Sequence, residues 1–134
     1  MYLRFVSPLS CRGRRKDVDY GIYQAAFHCR DHIEKPNWLQ RQLTEEVETL
    51  KTSLSVPRDS AFELCHHRGF HTEPICWFKP EATAPIRQCF VVRALLEQCG
   101  VPIIVLKTRR PGKVLFEDKF QIVALPRLGT TRFC

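Results

Sequence analysis

No apolar run in this chain approaches the roughly 18 residues needed to cross a bilayer as a helix. The longest, Val101 to Leu106, contains Pro102 and ends at Lys107, so it reads as a buried strand. The segment Met1-Tyr2-Leu3-Arg4-Phe5-Val6 has no basic region leading an apolar stretch, which argues against a secretory leader. Glycine is scarce, at 6 residues, and neither a P-loop nor a dinucleotide fingerprint occurs. GxSxG, HExxH and kinase signatures are absent, as are paired carboxylates suited to glycoside hydrolysis. Catalytic residues therefore stay unknown, and an enzyme is the weaker expectation.

What the chain does hold is ordinary globular composition: 134 residues, 44% hydrophobic and 26% charged. That length suits one domain, residues 1–134, and needs no covalent staple. The seven cysteines include no CxxC, are odd in number and are irregularly spaced, which argues against a disulfide framework. Cys29, Cys89 and Cys99 fall on apolar helix faces, where a thiol acts as a small hydrophobe. Reduced cysteines and the missing leader together point to a cytoplasmic protein without a membrane.

Periodicity yields the order β-α-α-(loop)-β-α-β-β. Tyr2 to Val6 reads as a strand, followed by a basic loop over 7–17. Asp19 is the expected cap of a first helix that buries Ile22, Ala25, Ala26, Cys29 and Ile33. Pro36 interrupts, and Asn37 is the expected cap of a second helix with the stripe Leu39, Leu43, Val47, Leu50 and Leu54. An irregular, histidine-rich loop spans 58–74. Ile75 to Phe78 then reads as a central strand buried on both faces.

Thr83 or Ala84 opens a third helix with Pro85 in its first turn, an inner face of Cys89, Val92, Leu95, Leu96 and Cys99, and a stop at Gly100. Pro111 and Gly112 suit the centre of a type II turn, predicting a hairpin between the strand ending at Thr108 and the next. Val114 to Leu125 is one bent strand or two short ones, and 127–134 is a loose tail. The expected fold is two-layer α+β. It has a mixed or antiparallel sheet of four or five strands, about three helices on one face, and a βαβ-like unit around Trp77 as its core.

Four sets of residues point to chemistry. The segment Cys65 to Cys76 carries soft and borderline ligands, so Cys65, His67 and His71 are candidates for Zn²⁺, with Cys76 assigned instead to the core. Otherwise no cofactor is expected. The loop from Lys79 to Pro85 opens a helix N-terminus, where Lys79 and Arg87 are candidate anion contacts. The turn Lys107 to Lys113 concentrates Arg109, Arg110 and Lys113. Asp118 falls on an apolar face, either as a buried group paired with Arg93 or as part of an exposed turn at Glu117-Asp118.

The net charge is +7, and 14 of the 21 basic residues are arginine, a balance that favours anionic partners. A small binding module for an acidic protein or nucleic acid is therefore the expected function. A dedicated nucleic-acid binder, or a small enzyme or metal protein using the Cys65–Cys76 segment, are the alternatives. Trp38, Tyr20, Tyr23 and Phe27 form a further feature, a protein-contact patch or a helix–sheet filling, and oligomeric state is left open.

Overall fold

The computed structural model describes residues 1–8, 20–53 and 75–125. Within them lie β1 (Tyr2–Ser7), β2 (Tyr20–Gly21), α1 (Ile22–His32), α2 (Asn37–Ser53), β3 (Ile75–Phe78), α3 (Thr83–Gln98), β4 (Ile104–Thr108), β5 (Lys113–Glu117) and β6 (Gln121–Leu125). Asp19, Leu54 and nearly all of the expected loops and tail lie outside the described residues; Ser7, assigned to the basic loop, instead ends β1 and pairs with Tyr20. The strands hydrogen-bond in the order β2-β1-β3-β6-β5, antiparallel along that path, and β4 also pairs with β1. Among the described residues, three helices and an antiparallel sheet make this an α+β fold. No helix among the described residues is long and apolar enough to cross a membrane.

The chain divides into two compact units, each assembled from separated stretches. The described part of one comprises 1–4, 75–82 and 106–125, and that of the other 5–8, 20–53 and 83–105.

The helical unit owes its core to the expected stripes. Leu39, Leu43, Val47 and Leu50 on α2, with Ile22, Ala25, Ala26 and Cys29 on α1, are buried. Cys89, Val92, Leu95 and Leu96 on α3 join them, and the three helices pack on one another. The amide of Gln88 on α3 donates to the Glu46 carboxylate on α2, tying their polar edges. The starts of the first two helices differ from expectation. Gly21 is the N-cap of α1, with extended backbone and no side-chain cap bond. For α2, the Pro36 carbonyl accepts the N–H groups of Leu39 and Gln40, so Pro36 rather than Asn37 caps the helix. Proline has no N–H to leave unpaired there, so this position costs it nothing.

Gly100 ends α3 as expected, at φ +78°. Its N–H reaches the Glu97 carbonyl and that of Val101 the Leu96 carbonyl, the paired bonds of a Schellman motif. Val101 is buried beside this end, supplying the apolar contact that usually accompanies the motif. Cys99, at the last turn, is only half-buried.

In the strand unit, Trp77 pairs with Ile122 and Cys76 with Val123 across β3 and β6, while β5 covers the other edge of β6 with a register shift between Val114 and Phe116. All five residues of β6 are buried. Two expectations fail here. Cys76 is exposed between buried Ile75 and Trp77, so β3 is not apolar on both faces; strand alternation turns the thiol outward. The hairpin also falls one strand later. Gly112 does take the positive φ a type II turn demands, at 110°, yet β4 pairs with β1 and it is β5 that returns on β6. β4 does not lie beside β3 in the strand order; both pair with β1. A turn's local chemistry sets chain direction but not which ladder each arm joins.

Candidate anion-binding site

The turn between β4 and β5 is built from alternating anchors and charges. Thr108 and Pro111 are buried, whereas Lys107, Arg109, Arg110 and Lys113 are exposed. The Thr108 hydroxyl accepts the Arg110 N–H at 3.0 Å, a local bond that holds the backbone where the arginines leave it. None of these four cations has an ion-pair partner among the described residues. Exposed guanidinium groups keep their donors free for planar anions such as carboxylate or phosphate.

The second anion candidate is differently placed. Lys79 Nζ lies 2.6 Å from Glu117 Oε2, a hydrogen bond that pushes the ammonium pKa upward. Its charge is thus already matched by a carboxylate on β5, and its backbone N–H donates to the Phe120 carbonyl at 2.8 Å. Lys79 therefore serves the strand unit's own structure. Arg87 is exposed on α3, in the helical unit.

Asp118 is a turn residue. Its Oδ1 accepts the N–H groups of Phe120 and Gln121 at 2.8 and 2.9 Å, and Oδ2 accepts the Gln121 amide at 3.1 Å. Its own N–H returns to the Gln121 carbonyl, closing the β5–β6 hairpin. Arg93, the partner considered for it, instead pairs with Glu97 on the next turn of α3 at 3.2 Å. Removing charge-assisted bonds costs about 1.5–3 kcal/mol each at most, and part is recovered by water at this half-buried site. We expect Asp118→Ala to lower stability by about 1–2 kcal/mol. Asp118→Asn, which keeps one acceptor, should lose less; equal losses in urea unfolding would rule out the acceptor role.

The zinc candidates Cys65, His67 and His71 lie outside the described residues. Among the described residues no group of three or more metal-ligating side chains converges. Of the aromatic patch, Trp38 is 59% exposed, whereas Tyr23 and Phe27 are half-buried and Arg30 stacks over Phe27 at 5.0 Å.

Periodicity also left one polar cluster unread. Lys35 Nζ donates to the carbonyls of Cys29 and Ile33, both at 2.5 Å, and to Gln40 Oε1 at 2.8 Å. A cation thus closes the C-terminus of α1, where the helix dipole favours it, and links that end to α2. The signal available was a lysine just past the last helical residue. No family model, curated protein or solved structure matches this chain.

Proposed function

We propose that this chain acts by binding an anionic partner at the basic turn of residues 107–113. The observation that carries the proposal is the set of four exposed cations, Lys107, Arg109, Arg110 and Lys113, held over buried Thr108 and Pro111 without a described acidic partner. The net charge of +7 supports it, because long-range attraction raises encounter with anions and the arginines supply bidentate contacts on arrival. Lys79 is not part of this surface, since Glu117 neutralises it. The setting that goes with this role is cytoplasmic, in keeping with Cys29, Cys76, Cys89 and Cys99 as free thiols.

Heparin retention tests the charge-driven binding, and gel shifts with unrelated DNA and RNA then separate nucleic acid from an acidic polypeptide such as polyglutamate. The triple variant Arg109→Ala/Arg110→Ala/Lys113→Ala should elute at lower salt. If duplex DNA is the partner, the slope of log affinity against log salt should also shrink by roughly three. Arg87→Ala should change neither. Absence of retention at about 50 mM salt, or a triple variant that elutes with the wild type, would overturn the assignment.

A further inference from the structure

His28 and His32 lie four residues apart on α1, and both side chains are exposed. Their ring centroids are 5.1 Å apart with the planes tilted by 41°. Residues at that spacing occupy successive turns of one helix face, so the separation follows from the backbone and needs no support from packing. Two neutral imidazoles side by side present two nitrogen donors of the kind borderline divalent cations prefer.

The separation is compatible with one ion shared by both rings. A zinc–nitrogen bond is about 2.1 Å, and the ring centroid lies about 1.1 Å behind the nitrogen, so each centroid stands about 3.2 Å from a shared ion. With one nitrogen of each ring turned toward that ion, centroids 5.1 Å apart would subtend about 105°, near the tetrahedral value. Asp31, between the two histidines in sequence, accepts a hydrogen bond from Arg30 Nε at 2.9 Å. Arg30, the cation between the two histidines in sequence, is thus occupied with Asp31.

We propose that His28 and His32 form a two-histidine site for Zn²⁺ on the outer face of α1, with water completing the tetrahedron. The site is separate from the Cys65–Cys76 segment and rests on none of its residues. It is also independent of the basic turn, which lies in the other compact unit.

Titrating the full chain with Zn²⁺ under reducing conditions tests it, with His28→Gln, His32→Gln and His67→Gln/His71→Gln alongside the wild type. Because the second imidazole binds an ion already held by the first, losing either should weaken the site by about tenfold or more. The His67/His71 variant should keep the His28/His32 site intact. Circular dichroism controls for folding, which exposed histidines are not expected to disturb. Wild-type affinity and stoichiometry in both single variants would overturn the proposal, as would loss of zinc binding in the His67/His71 variant alone.

Discussion

Replacing Trp77 by alanine should cost about 3–5 kcal/mol, a large share of the 5–15 kcal/mol that holds a typical domain together. Trp77 is 1% exposed and is the largest fully buried side chain. It sits on β3 opposite Ile122, which is itself fully buried, so truncation opens a cavity that neighbouring strands cannot close without shifting register. The indole Nε1 has no hydrogen-bond partner among the described residues. Burying such a donor unpaired costs about 1–3 kcal/mol, so the ring's apolar contacts already outweigh a polar penalty. Trp77→Phe removes that penalty along with part of the ring, and the two effects offset. It should therefore unfold within about 1 kcal/mol of the wild type. Urea unfolding followed by circular dichroism suits the comparison, because the variants lack Trp77 and the other tryptophan, Trp38, is solvent-exposed. A loss below about 1 kcal/mol for Trp77→Ala would show that this strand is not the centre of its unit's packing.

Stability should also fall steeply above pH 9. Burial pushes the thiols of Cys29 and Cys89 up to about 12, against an ordinary value of 9.0. At Cys29 the neighbouring Cys99 thiol adds to the effect and the Lys35 ammonium opposes it. A raised folded-state pKa means that the native protein holds its proton more tightly than the unfolded chain. Its contribution is therefore complete below pH 9 and is lost as pH rises from 9 through 12. With both thiols titrating only in the unfolded chain, the slope is roughly 2.7 kcal/mol per pH unit, or about 4 kcal/mol by pH 10.5. The double variant Cys29→Ala/Cys89→Ala removes both groups at the cost of small cavities. It should be less stable at pH 8 but flatter between pH 9 and 10.5 in urea midpoints. A parallel decline in variant and wild type would assign the alkaline loss to other groups. The same burial predicts that Cys29 and Cys89 resist alkylation at neutral pH.

The helices were legible because each buries one face, and a buried face repeats at helical spacing in the sequence. Leu39, Leu43, Val47 and Leu50 announce α2, and all four are buried. Pro85 and Gly100 bracket α3 through their own backbone limits, one lacking an N–H and the other free to take φ +78°. The exposed cations of residues 107–113 were legible for the same reason: polar residues at a Pro-Gly turn stay in water whatever surrounds them.

Strand partnership was not legible, since a ladder is decided between segments distant in the chain. The turn at Pro111-Gly112 pointed to a β4–β5 hairpin, but β4 joined β1 and β5 joined β6. At Asp118 the sequence allowed either a buried acid or a turn at Glu117-Asp118, and the N–H groups of Phe120 and Gln121 decide for the turn. Lys79 looked available until the fold brought Glu117, 38 positions away, within 2.6 Å.

By itself, then, the sequence determined the helices, their buried stripes, the stop at Gly100 and the surplus of exposed positive charge. These depend on properties within a few residues of each position. Only the tertiary structure decided which strands pair, that Cys76 faces outward, and which cations are already neutralised. Those outcomes depend on what a distant part of the chain brings alongside, and no local pattern encodes the distance between them.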